Sequence, residues 1–164
     1  MWLTPVMIAL TSAPAEASGE AEEAEVTFNL GAKAYGQGDY QRALAQFLAS
    51  HRLAPNASVA FNIARCYARL DKYAEAFRWF TIAGDGLTDP NVRSLVEQEL
   101  QAITPQVTVY EITSDPPGAT VYHDRKDLGA IGVTPLRIAL TPLKAGATRR
   151  FLFEKDGYEA VTVE

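Results

Sequence analysis

One short phrase occurs twice in this chain at a fixed distance, and that repetition narrows the available folds more than any other feature. Phe28-Asn29-Leu30-Gly31 is echoed by Phe61-Asn62-Ile63-Ala64. The echo continues at the same offset, with Asp39-x-x-x-Ala43-x-x-x-Phe47 set against Lys72-x-x-x-Ala76-x-x-x-Phe80 and Tyr40 against Tyr73. A period of this size means a supersecondary unit stacked on a copy of itself, because one unit alone cannot bury its apolar face.

Each copy reads as two helices. In the first, Phe28, Leu30, Gly31, Ala34 and Tyr35 recur at helical spacing until Gly36-Gln37-Gly38 breaks the run. Asp39 is placed to cap the next helix, whose apolar face is Tyr40, Ala43, Leu44, Phe47 and Leu48, and Pro55 ends it. In the second copy Phe61, Ile63, Ala64, Tyr67 and Ala68 lead. Leu70-Asp71-Lys72 makes the turn, and Tyr73, Ala76, Phe77, Phe80 and Ala83 follow. Small residues (Gly31, Ala43, Ala64, Ala76) fall where two helix backbones must come close, with Phe47 and Phe80 filling the space beside them.

These residues resemble tetratricopeptide repeats. Leu30-Gly31, Gly38-Asp39-Tyr40, Ala43-Leu44, Phe47 and Pro55 match that family's signature, as do Ile63-Ala64, Tyr67, Tyr73, Ala76, Phe80 and Ala83. In the second copy Leu70 replaces the turn glycine and no proline stands at the usual end. Asp89-Pro90 is a helix-start pair. The helix expected over 90–103 has an apolar face of Val92, Leu95, Val96, Leu100 and Ile103 and a polar back, which suits the capping of a stack. Thr104-Pro105 stops it.

After Pro105 the period changes to two. Val107-Thr108-Val109-Tyr110-Glu111-Ile112 reads as a strand, and 119–123, 136–140, 149–155 and 160–163 follow, separated by turn residues. Gly129-Ala130-Ile131-Gly132 reads as a turn between strands. The short strands predict a small antiparallel β-sandwich that leans on the helical half or a neighbour, because about 60 residues make a thin core. Ser114-Asp115-Pro116-Pro117-Gly118-Ala119, Val121-Tyr122, Leu128-Gly129, Thr134-Pro135-Leu136 and Gly157-Tyr158 resemble the PEGA domain. That family commonly has a glycine in the hairpin after its second strand, where this chain has Asp124-Arg125-Lys126-Asp127. A non-glycine residue at positive φ costs about 1–2 kcal/mol, so a loop wider than two residues is expected.

The expected organisation is therefore multidomain α and β. Residues 1–17 read as a signal peptide, 18–23 as a solvated acidic linker, 24–103 as two repeats plus a capping helix, and 104–164 as the PEGA-like unit. The apolar run over 2–10 is too short to span a bilayer and precedes small-x-small cleavage patterns at Ala13-Pro14-Ala15 and Ala15-Glu16-Ala17. No Lys or Arg precedes the run, which leaves a start upstream or a cytoplasmic chain as the alternatives to an exported, periplasmic or cell-surface one. No transmembrane span is expected after signal cleavage.

A net charge of −5 argues against nucleic acid as a partner, since that needs a basic surface. The single cysteine, Cys66, excludes an internal disulfide and a cysteine-rich zinc site, and mid-helix it reads as a small buried side chain. His51 and His123 have no Ser, Cys or carboxylate neighbours at a spacing that implies a triad, and His123-Asp124 alone is too few ligands for a metal. No enzyme activity, cofactor or metal is expected.

Two surfaces remain. The repeat resemblance places a concave partner-binding face on Phe28, Asn29, Ala32 and Tyr35, then on Phe61, Asn62, Arg65 and Arg69. Its asparagines and arginines suit the amides and carboxylates of an extended peptide. Arg125, Lys126, Lys144, Arg149, Arg150 and Lys155 form a candidate patch for acidic polymers, lipid headgroups or surface polysaccharide. Together the resemblances imply a non-catalytic protein–protein interaction or scaffold protein of the bacterial cell envelope. In that reading the repeats bind a protein or peptide partner and the PEGA-like unit mediates envelope or surface association. The alternatives are an adaptor in bacterial kinase-linked signalling and a carbohydrate-binding envelope module using Tyr110, Tyr122 and Tyr158.

Overall fold

A computed structural model describes residues 15–86 and 89–164 of the 164-residue chain. The leader-like start, including the apolar run over 2–10, lies outside the described residues. Among these, five α-helices come first: α1 (Ala15–Gly36), α2 (Tyr40–Leu53), α3 (Ala57–Arg69), α4 (Tyr73–Gly86) and α5 (Pro90–Ile103). α1 pairs with α2 and α3 with α4, and α5 packs on α4.

The sequence period is visible in single hydrogen bonds. Gly38 N–H donates to the Tyr35 carbonyl (3.0 Å) as Asp71 N–H does to Ala68 (3.2 Å). Asp39 N–H donates to Ala34 (3.0 Å) as Lys72 N–H does to Tyr67 (3.0 Å). The left-handed residue of each turn is Gly38 (φ +80°) or Asp71 (φ +58°). The sequence put the missing turn glycine at Leu70, but Leu70 keeps an ordinary φ of −98° and Asp71 takes the left-handed position. A short polar side chain tolerates that region, and the Asp71 carboxylate accepts the Tyr73 hydroxyl at 2.6 Å.

Helix starts follow their caps. The side chains of Asp39, Asn56 and Asp89 accept the N–H groups of Arg42 (3.1 Å), Val59 (2.9 Å) and Asn91 (2.8 Å). α1 begins earlier than expected, because 18–23 is helical rather than a linker. Alanine and glutamate are strong helix formers, and carboxylates at a helix start oppose the positive end of its dipole. Acidity made the segment look unstructured when it has helical propensity.

Inside the helical region Ala43, Ala64, Ala76, Phe47 and Phe80 are buried. A Cβ on Gly31 would come within 2.8 Å of the Phe47 ring, so only glycine fits there. The buried Ser50 hydroxyl donates to the Ala24 carbonyl (2.8 Å) and ties α2 to α1. His51 stands edge-on to Trp79, with centroids 5.0 Å apart, and burial lowers its pKa below the ordinary 6.5. As pH falls below 6.5 the unfolded chain binds the proton first, so stability is full above that value and declines toward the lowered folded pKa. Urea midpoints should therefore fall on the acid side of 6.5, with a shallower fall in His51→Gln. Equal slopes in both would place the titration on another group.

The strands are β1 (Thr108–Ile112), β2 (Thr120–His123), β3 (Ala130–Val133), β4 (Leu136–Leu140), β5 (Phe151–Glu154) and β6 (Val161–Val163). β1 and β4 form one antiparallel sheet, and β3-β2-β5-β6 forms a second, also antiparallel. The expected turn at 129–132 is largely strand β3. It pairs Thr120 with Val133 and Val121 with Gly132, then slips at a bulge so that Tyr122 meets Ala130. Flanking glycines disguised it. Gly132 serves close packing, since a Cβ there would lie 2.7 Å from Leu136 Cδ1. The loop from β2 to β3 is wide, as expected, and holds a short 3-10 turn (Lys126–Leu128). Its first residue, Asp124, still adopts φ +61°, held by its N–H to the Arg150 carbonyl at 2.8 Å.

The β1–β4 sheet is a middle layer. Tyr110, Ile112, Leu136, Ile138 and Leu140 face the second sheet around buried Val121 and Phe151. The alternate residues Val107, Val109 and Ala139 pack with Phe77, Phe80, Val96 and Ile103 in the main helical cluster. The Arg137 guanidinium lies 5.3 Å from the Phe77 ring centre. The thin sandwich thus leans on the helices, as its size demands.

Candidate functional site

α3 carries Phe61, Arg65 and Arg69 at successive i, i+4 positions, which puts them on one helix face. Tyr35, in the last turn of α1, meets that face. The Arg65 guanidinium carbon lies 4.9 Å from the Tyr35 ring centre and 5.8 Å from that of Phe61. Arg69 Nε donates to the Tyr35 hydroxyl at 3.4 Å. Phe61 stands edge-on to buried Phe80 (5.6 Å) and Tyr35 edge-on to Tyr40 (5.1 Å), so the aromatic floor is rooted in the core.

Glu99 of α5 closes the rim, with its Oε1 3.8 Å from Arg65 Nε. A long pair between side chains 35% and 38% exposed is screened and contributes little, so Arg65 stays available to a better carboxylate. The stacking matters more. It fixes the plane of the guanidinium and reduces the rotamer entropy lost when its remaining donors engage a planar acceptor. The sequence reading missed Glu99. α5 starts at Pro90 and α3 at Ala57, one full period earlier, so carrying the repeat onward would have placed a third leading helix beside Arg65.

The other expected members of this face are not gathered into the cluster. Phe28 packs on Phe47 (5.4 Å) and lines a separate hollow of about 330 Å³ with Ala24, Ser50, Asn56 and Val59. Asn29 and Ala32 are exposed on α1, and the Asn62 amide donates to the Ser58 carbonyl of its own helix at 3.0 Å.

The six cations of the expected basic patch are dispersed. Arg125 pairs with Asp127 (2.6 Å), Arg150 with Glu164 (2.7 Å) and Lys126 with Glu154, whose carboxyl the lysine holds below its usual pKa. Arg149 donates to the Thr141 carbonyl (2.8 Å) and lies over Tyr110. Lys155 borders a hollow of about 270 Å³ that also presents Asp115, Glu154, Glu159 and Tyr158, so carboxylates outnumber it there. Lys144 is exposed. Tyr110 packs on Phe151, and Tyr158 stands in solvent.

Cys66 is fully buried, and burial pushes its thiol up to about 12 against a smaller opposing effect of Arg65, so it holds no appreciable thiolate at neutral pH. Among the described residues no group of three or more His, Cys, Asp or Glu side chains is placed to hold a metal ion. None of the described helices is long and apolar enough to cross a membrane. No protein-family model matches the chain, and no curated protein matches it either.

Proposed function

We propose that this chain is a non-catalytic interaction protein that holds an extended, carboxylate-bearing segment of a protein partner on the leading-helix face. The observation that carries the reading is the convergence of two arginines on one aromatic floor: the Arg65 guanidinium lies over the Tyr35 and Phe61 rings, and Arg69 donates to the Tyr35 hydroxyl. Such a floor supplies apolar contact while the guanidinium edges supply directed donors, a combination suited to peptide carboxylates.

The finer identity belongs to the same proposal. Equivalent turn hydrogen bonds one period apart support tetratricopeptide-like pairs. The Thr134 hydroxyl, which accepts the N–H groups of Gly118 and Ala119, supports a PEGA-like unit. The leader-like run over 2–10 supports export, and with it a role in the cell envelope where the β unit gives surface association or spacing.

The test is a pull-down from a cell-envelope fraction with the wild-type chain beside Arg65→Ala/Arg69→Ala, read by mass spectrometry, with melting curves of both proteins. The expected result is a partner recovered by the wild type and reduced about tenfold or more by the double change, at an unchanged melting temperature. Equal recovery by both proteins would remove the function from this face.

A further inference from the structure

The two ends of the helical stack are finished differently. At the C-terminal end the polar-backed α5 and the β1–β4 sheet cover the last hairpin. At the other end α1 presents the face that α3 buries. Val59 and Ile63, on that face of α3, are 3% and 0% exposed, while their equivalents one period earlier, Val26 and Leu30, are 57% and 45% exposed. The α2 side of the same surface is polar, because Gln46 stands where Trp79 packs one period later. A whole additional hairpin would therefore meet a polar surface on that side. A single helix laid along α1 would not.

The stripe on α1 reads Gly19, Glu23, Val26, Leu30 and Lys33, alternating steps of four and three residues. That is the seam spacing of paired helices. It is also self-complementary. Turned end for end about position 28, it sets Val26 against Leu30 and Glu23 against Lys33 of an identical helix, each contact occurring twice. Glu23 and Lys33 are exposed, and among the described residues neither makes an ion pair. We infer that a second copy of this chain docks here as an antiparallel α1–α1 pair, joining two chains across a two-fold axis. The inference does not depend on what the Arg65 face binds.

The pairing makes an unusual demand on charge variants. Glu23→Lys sets a new lysine against Lys33 twice, and Lys33→Glu sets a new glutamate against Glu23 twice. Each full-length variant alone should dimerise about tenfold or more weakly than wild type by sedimentation equilibrium. Mixed in equal amounts they should recover the wild-type dimer as a heterodimer, because both contacts are then opposite in sign. Leu30→Glu should abolish the dimer while leaving the helix signal intact, since Leu30 is exposed in the single chain. Zero-length carbodiimide coupling should link Glu23 to Lys33. Ten residues of one helix span about 15 Å, so that link must join two chains. A wild-type chain that is monomeric at all concentrations overturns the proposal. So does a dimer indifferent to the single charge reversals, or a mixture of the two variants that stays monomeric.

Discussion

Phe80→Ala is expected to cost about 3–5 kcal/mol of folding stability, the range for truncating a fully buried aromatic side chain. Phe80 has no exposed surface and sits among Ala60, Ala64, Ala76, Phe77, Ala83 and Val96. Most of these neighbours are alanines on helix backbones, which cannot lengthen to fill the space left by a ring, so the cavity should persist. A domain of this size has about 5–15 kcal/mol in total, so the change removes a large share. The loss should reach the sheets, because Val107, Val109 and Ala139 pack on the same cluster. Urea unfolding followed by helical circular dichroism and by the environment of Tyr110 in β1 should shift together. Phe47→Ala should cost a similar amount, but Phe47 packs with Ala34 and Ala43 of the first hairpin and Val59 and Ile63 of α3, away from the strands. A loss below about 1 kcal/mol for Phe80→Ala would mean the helices close over the gap, and that the small residues do not fix the interhelix distance.

The helical half was legible because its signals are local. Asp39 and Asp89 cap the helices they precede, and Phe47 and Phe80 fill the positions that periodicity gives them. The β region was legible where residues alternate and obscure where glycine intervenes. β3 passed as a turn because Gly129 and Gly132 bracket only Ala130 and Ile131, while what makes it a strand is its pairing with β2, a partner no local pattern announces. β1 held a further signal. Val107, Val109, Tyr110 and Ile112 are apolar on both parities of the strand, the mark of a strand covered on both faces, and the structure places helices on one side and a sheet on the other. The candidate site was legible as positions only. Arg65 and Arg69 lie on one helix face by spacing, but the Tyr35 ring that organises them comes from α1, with the whole of α2 intervening in the chain. For the same reason the basic set looked continuous. The partners of Lys126 and Arg150 are Glu154 and Glu164, and no local pattern announces those pairs.

Thr134→Val keeps the shape of a β-branched side chain and removes one hydroxyl, and it is expected to destabilise the chain by about 1–3 kcal/mol. That hydroxyl is the hub of the loop before β2. It accepts Ala119 N–H at 2.9 Å and Gly118 N–H at 3.1 Å, and it meets the Ser114 hydroxyl at 2.5 Å. Two of the three groups keep another partner, since Gly118 N–H also reaches the Thr134 carbonyl (2.9 Å) and the Ser114 hydroxyl also reaches that of Pro116 (2.8 Å). Ala119 N–H does not, and Ala119 is buried, so the valine variant leaves a donor unsatisfied away from water. Thr134→Ser separates the two contributions of the side chain. It keeps the acceptor and loses only a methyl group, so it should lose less stability than the valine variant and preserve the slow exchange of the Ala119 amide. In Thr134→Val that amide should exchange faster by more than the global loss of stability accounts for. If the serine variant loses as much as the valine variant, methyl packing rather than the hydrogen-bonded hub holds Pro117-Gly118-Ala119 against β4, and the loop is tied down by contact alone.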